Sequence, residues 1–220
     1  MITAKNIYLS YDDNKYVIKK GNFYVKPKEF IFVGGNSGSG KSTLLKSFYG
    51  EIPLKHGSLK IDGQEVFGIN ALKLRNLRKD IGVIFQDYKL INEYTIEENI
   101  MVPLKINGYS NEICKSQAAK LLAHVKLSHR AGFYPNELSG GEQQRIAVAR
   151  ALAHNPKIII ADEPTGNLDD YSADVVWNLL KGANEQLGIT IVVVTHRVPK
   201  NLGIKFRQFS IEDGIIYEVS

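Results

Sequence analysis

Through much of residues 2–25 apolar and polar side chains alternate, which predicts antiparallel strands with one wet face, turning at Asp12-Asp13-Asn14. The pattern then changes to short, solid apolar runs: Phe30-Ile31-Phe32-Val33, residues 81–85, Ile158-Ile159-Ile160-Ala161 and residues 190–194. Runs of this length, apolar throughout, suit strands covered on both faces. A further short strand is expected over residues 59–61, led in by Lys55-His56-Gly57-Ser58 and closed by Asp62-Gly63. Between residues 87 and 135 the period becomes helical. Thr95 and Glu98 form a capping box, and residues 111–126 are long and free of proline. Gly132, Pro135 and Asn136 mark a loop before a helix over residues 142–154, which Asn155-Pro156 stops. A hairpin of residues 206–211 and 215–219, turning at Asp213-Gly214, closes the chain. The whole reads as one α/β domain. Residues 1–86 and 156–220 supply an α/β core with an antiparallel β subdomain, and residues 87–155 an inserted helical subdomain.

The polar residues just beyond the apolar runs give the domain its chemistry. Val33 is followed by Gly34-Gly35-Asn36-Ser37-Gly38-Ser39-Gly40-Lys41-Ser42-Thr43, with the glycine, lysine and hydroxyl spacing of a phosphate-cradling loop. Its glycines let backbone N–H groups converge on phosphate oxygens, and a helix starting near Lys41 aims its positive end at the same anion. Lys41 is placed for the β- and γ-phosphates and Ser42 for Mg²⁺. A flexible turn is the competing reading, opposed by the strand before the loop and by Leu44-Leu45 after it. Phe85 is followed by Gln86, Ala161 by Asp162-Glu163, and Val194 by Thr195-His196. Ligands of open parallel sheets bind beyond the carboxyl ends of the strands, so the four groups are expected to meet at one edge. There Asp162 suits the metal, Glu163 a base activating water for attack on the γ-phosphate, Gln86 the metal or that water, and His196 the γ-phosphate. A second motif, Leu138-Ser139-Gly140-Gly141-Glu142-Gln143, joins a Ser139–Glu142 capping box to two glycines at a helix start. It is another anion grip, or simply a well-capped helix.

Composition narrows the partners. The chain has 220 residues, is 44% hydrophobic and carries a formal charge of +5, enough for a full core with a modest basic excess. Cys114 is its single cysteine, which excludes an intrachain disulfide or a cysteine metal cluster. The start, Met1-Ile2-Thr3-Ala4-Lys5-Asn6, lacks a signal-peptide core, and no apolar run approaches the roughly 20 residues that span a bilayer. Any membrane role is therefore expected to go through a partner.

In their order along the chain, the phosphate loop, Gln86, the segment from Leu138 to Gln143, Asp162-Glu163 and His196 resemble the nucleotide-binding subunit of ATP-binding cassette (ABC) systems. The resemblance implies a P-loop core of ABC type that binds and hydrolyses ATP with Mg²⁺. It also implies a head-to-tail homodimer, each ATP held between one chain's residues 35–43 and the other's Ser139-Gly140-Gly141 and Glu142. Tyr11 matches the aromatic that stacks on adenine, and Asn167-Leu168-Asp169 the loop that crosses between protomers. Finer stretches, Ile84-Phe85-Gln86-Asp87-Tyr88-Lys89-Leu90 and Thr165-Gly166-Asn167-Leu168-Asp169 among them, are similar to the FtsE family of bacterial cell-division ATPases. That similarity implies an FtsX-like integral membrane subunit, docked on the region from Gln86 to Tyr94 at the cytoplasmic face of the membrane, and control of cell-wall hydrolases. ATPases of lipoprotein-releasing and macrolide-export systems share most of these motifs. An ATP-dependent scaffold with negligible hydrolysis is a third reading, which Glu163 opposes. No nucleic acid partner is expected, because neither a long coiled-coil insertion nor a second cassette is present. Tyr88, Leu90, Ile91 and Tyr94 either meet the membrane subunit or pack within the helical subdomain. One residue departs from the family: Arg197 follows the histidine where many members are acidic.

Overall fold

Alternation in the first 25 residues folds into β1 (Ile2–Leu9) and β2 (Ile18–Val25), paired antiparallel with Ile2 opposite Val25. The computed structural model describes residues 1–11, 15–199 and 202–219, so the turn expected at Asp12-Asp13-Asn14 lies outside the described residues. Next come β3 (Phe30–Gly34), α1 (Lys41–Phe48), β4 (Leu54–Ile61), β5 (Gln64–Glu65), α2 (Ala71–Arg78) and β6 (Ile81–Ile84). The helical segment holds α3 (Ile96–Ile106), α4 (Asn111–His124), two single 3-10 turns and α5 (Gly140–Leu152). It is followed by β7 (Ile158–Asp162), α6 (Asp170–Leu187), β8 (Thr190–Val194), β9 (Arg207–Glu212) and β10 (Ile215–Val219).

Four differences from the sequence reading have physical causes. β4 begins at Leu54 rather than residue 59, because residues that read locally as a polar turn pair with β1 from Leu54↔Leu9 to Ile61↔Ile2. Gly57, at φ 93°, sits against the Asn6 carbonyl, where β1 carries its own irregularity at Asn6, φ 50°. α5 starts at Gly140, since Ser139 is its N-cap and the capping box places both glycines in the first turn. The helices α2 and α6 are additions to the expected elements. Of α2 only Leu77 is buried, so it has little stripe to read. α6 does carry one, with Val176, Leu179, Leu180 and Ala183 buried at helical spacing, an Asp169 N-cap and Gly188 at φ 66° after its end.

Two sheets stack. One has the order β2-β1-β4-β5, the other β10-β9-β3-β8-β7-β6, in which β3, β8, β7 and β6 run parallel. Each parallel strand divides its side chains between two cores. Phe30, Phe32, Ile159, Ala161, Ile191 and Val193 meet the helices α3 to α6. Ile31, Val33, Ile158, Ile160, Val192 and Val194 meet α1 and the antiparallel sheet. That double burial is why these strands are almost wholly apolar, and it holds their carboxyl ends in fixed register along one edge.

Candidate functional site

At that edge the chain leaves β3 into residues 35–40 and turns sharply into α1. Gly35 (φ 136°), Gly38 (φ 77°) and Gly40 (φ 105°) all occupy conformations that side chains rarely adopt. At Gly35 a Cβ would also lie 2.5 Å from the Ile211 carbonyl oxygen and 2.7 Å from Ser39 Oγ, so the loop has no room for one. Lys41 lies across the mouth, its Nζ donating to the carbonyls of Gly35 and Asn36 at 2.9 Å each. Asn36, Ser37 and Gly38 are exposed. Thr43 is buried, and its hydroxyl donates to the Tyr11 hydroxyl at 3.2 Å. The Tyr11 ring itself is 62% exposed beside the loop.

Asp162 closes β7 next to α1. Burial pushes its carboxyl above the ordinary aspartate range, a rise opposed by a hydrogen bond from the Ser42 hydroxyl and by Lys41 and Lys46, and added to by Glu163. Among the described residues its buried Oδ1 has no partner. A half-satisfied carboxylate touching a hydroxyl at the end of a phosphate loop fits Mg²⁺, which takes one or two protein oxygens and completes its shell with phosphate and water. Among the described residues no group of three or more His, Cys, Asp or Glu forms a metal cage, which Mg²⁺ held with a nucleotide does not need.

Glu163 is set in the left-handed region at φ 44°, although it is not glycine and precedes Pro164. Such a conformation costs about 1–3 kcal/mol and persists because its surroundings enforce it. Its N–H donates to the Val194 carbonyl at 2.9 Å, and its carbonyl accepts from Gly166 N–H at 3.1 Å. The carboxylate, largely shielded, accepts from His196 N–H at 3.0 Å and lies 3.0 Å from His196 Nδ1 through its other oxygen. The sheet thus brings Glu163 and His196 into direct contact. If Nδ1 carries the proton toward Glu163, Nε2 faces outward as an acceptor, or as a second donor once the ring is an imidazolium.

Gln86 stands exposed two residues beyond β6, on the same edge. The loop after it is held from the helical side. Arg150 of α5 donates to the Lys89 carbonyl at 2.5 Å and the Tyr88 carbonyl at 2.6 Å, and both of those residues have positive φ. Burial pulls the Arg150 guanidinium down to about 10. Asn99, fully buried, accepts from Ile91 N–H at 2.8 Å and donates to the carbonyls of Ile91, Tyr94 and Thr95. Sequence reasoning missed Arg150 and Asn99, and no local signal marks them: each reaches a loop whose approach only the tertiary fold decides. Leu90 packs against the helical core, whereas Tyr94 is 43% exposed.

Ser139 caps α5, accepting from Glu142 N–H, while the Glu142 carboxylate accepts from Ser139 N–H and hydroxyl at 2.8 and 2.9 Å. The glycines after it do admit close neighbours, but these come from the chain itself. A Cβ on Gly140 would meet the Tyr88 hydroxyl at 3.0 Å, and one on Gly141 the Ser172 hydroxyl at 2.5 Å. Asp169 caps α6 by accepting from Ser172 N–H at 2.9 Å, so the first turn of α6 lies against Gly141. Arg197 reaches Asp170 at 3.6 Å in an exposed pair, worth little by itself. A cavity of about 700 Å³ lies between α6 and the segment after His196; Trp177, Thr195, His196 and Leu202 are in its wall.

The family model described as "ABC transporter" matches residues 18–166. The cell division ATP-binding protein FtsE of Streptococcus pneumoniae strain D39 is 40% identical over 214 residues, covering 97% of this chain and 93% of that protein. The methionine import ATP-binding protein MetN of Clostridium acetobutylicum is 39% identical over 218 residues, covering 99% of this chain and 68% of that protein. Among solved structures, the dimeric post-hydrolysis state of the ATP-binding cassette MJ0796, bound to ADP and Pi, superposes with a TM-score of 0.91 at 36% identity, covering 100% of this chain and 98% of that one.

Proposed function

This chain belongs to the ABC transporter family, and on that footing we propose that it is the ATP-hydrolysing subunit of a cell-division complex of the FtsEX type. The general activity, ATP binding and hydrolysis by a cassette, comes with family membership. The finer reading is that ATP-driven closure of two copies works an FtsX-like membrane subunit that controls cell-wall hydrolysis outside the cytoplasmic membrane. It is supported by likeness to the cell-division relative along nearly its whole length.

The observation that carries the hydrolytic part is the Glu163–His196 pair at the end of β7, beside the Asp162–Ser42 contact. Lys41 and the N–H groups of residues 35–40 hold the phosphates, and the Tyr11 ring covers the base. Asp162 and Ser42 hold Mg²⁺, which when bound neutralises charge on the β- and γ-phosphates. Glu163 accepts a proton from the attacking water, a role worth about 10²–10⁴-fold, while His196 keeps the carboxylate aimed and presents its outer nitrogen to the γ-phosphate. Ser139, Gly140 and Gly141 of a second copy complete the phosphate shell, and Asp169 lies in the loop that passes between copies. Two-site closure supplies the differential affinity a switch needs, since moving an equilibrium from 1:99 to 99:1 takes about 5.5 kcal/mol. The region from Gln86 to Tyr94, clamped by Arg150 and Asn99 with Tyr94 left exposed, transmits closure to the membrane subunit.

A second reading, the ATPase of a solute importer, has the support of the likeness to the methionine-import protein. Purification of the chain from membranes of its own cell, with identification of the membrane protein that accompanies it, separates the two. An FtsX-like subunit is expected, and a solute permease in its place would overturn the cell-division assignment.

A further inference from the structure

Gln144 is fully buried on α5, one turn after the two glycines of the capped start. Its Nε2 donates to the Pro164 carbonyl at 2.7 Å, and among the described residues its Oε1 has no partner. A core position ordinarily holds an apolar side chain, and a buried amide with one half unsatisfied is retained at a cost in stability. The bond it does make is placed with purpose. Pro164 belongs to the turn closed by Gly166 N–H on the Glu163 carbonyl, and Glu163 begins that turn in its enforced left-handed conformation. The other backbone anchor of Glu163, its N–H on Val194, comes from the sheet. Gln144 is thus the tie from α5, the helix whose first turn carries Ser139, Gly140 and Gly141.

We propose that Gln144 is a positioning residue for hydrolysis: its amide couples the helix that grips the second copy's nucleotide to the turn that aims Glu163 at the chain's own. This rests on the reading of Glu163 as base and of Ser139-Gly140-Gly141 as the grip on the second copy's phosphates. Displacement of the first turn of α5 moves Gln144 with it, and the 2.7 Å bond passes that movement to Pro164 and so to the Glu163 backbone. One site then becomes competent in step with engagement of the other, with no side chain of Gln144 touching substrate.

The test uses the purified full chain, with thermal melting to establish folding. Gln144→Met keeps volume and removes the donor. It should lower kcat for ATP by about tenfold or more, since small misplacements of a reacting group are that costly, and leave KM unchanged. Combined with Glu163→Gln it should cause no further loss, because the group it positions is already gone. An unchanged kcat, or the same proportional loss in the Glu163→Gln background, would overturn the proposal. Gln144→Glu gives an independent readout, because a carboxylate cannot donate to Pro164 whereas its protonated form can. The ratio of its turnover to the parent's should rise as pH falls from about 8 to about 6, and a flat ratio would count against the coupling. Full phosphate release by Glu163→Gln alone would instead remove the underlying reading of Glu163, a separate outcome.

Discussion

His196 grips the Glu163 carboxylate twice, through its backbone N–H at 3.0 Å and its ring Nδ1 at 3.0 Å, from the end of the neighbouring parallel strand. Removal of the ring should leave the carboxylate in place on one hydrogen bond but free to turn. His196→Ala is therefore expected to reduce ATP turnover by about 10²-fold, within the range for a general-base constellation. In a Glu163→Gln background the same change should add little, as steady-state phosphate release from the four proteins would reveal. Fully multiplicative losses would mean that the two residues act separately.

Asp162 offers a trade between stability and activity. Burial raises its carboxyl above the ordinary aspartate range, so its contribution to stability is fully present when protonated, below the unfolded pKa, and is lost as pH rises through the folded value. At neutral pH the ionised group is a liability that a divalent cation offsets. Asp162→Asn should raise the melting temperature without nucleotide or Mg²⁺, and should abolish Mg²⁺-dependent ATP hydrolysis. A lower melting temperature for the variant at neutral pH would contradict the burial argument.

Asn99→Ala should strand the Ile91 N–H and the carbonyls it serves, costing on the order of 3 kcal/mol in urea unfolding. Because Asn99 touches the loop rather than the phosphates, ATP turnover by folded protein should stay within about twofold of the parent, as distant sites add independently. A cost below about 1 kcal/mol would show that the loop finds its shape without the amide.

The capping box of α3 has a pH signature of the opposite sign. Backbone and hydroxyl hydrogen bonds from Thr95 hold the Glu98 carboxyl below the usual range. Its stabilisation is present above the unfolded glutamate pKa, about 4.3, and disappears as pH falls through the lower folded value. The stability gap between the parent and Glu98→Gln should thus be level at neutral pH and close in acid, as denaturant titrations at a series of pH values would register.

The sequence carried the site further than the frame around it. The runs ending at Val33, Ala161 and Val194 are apolar almost throughout because two cores share each strand, so the polar residues just beyond them are conspicuous. Phosphate-loop glycines announce themselves because positive φ leaves little other choice of residue. Elsewhere the deciding contacts are distant. Residues 54–58 become strand only by pairing with β1, and α2 buries a single leucine. A Cβ at Gly140 or Gly141 would meet Tyr88 or Ser172, neighbours that only the fold supplies. The stripe of α6 is legible in Val176, Leu179, Leu180 and Ala183. Arg150 and Asn99 leave no trace, since an arginine or asparagine on a helix says nothing of the loop it will hold.

In the proposed mechanism one copy holds a nucleotide through residues 35–43 while a second copy completes the enclosure with Ser139, Gly140 and Gly141, and every other step depends on that sharing. Light scattering of Glu163→Gln, with and without ATP and Mg²⁺, addresses it without intermediaries. The expected result is a monomer without nucleotide and a stable dimer carrying two ATP molecules with it, lost again when Gly141→Asp is added. A protein that retains ATP tightly while remaining a single copy would contradict the shared site.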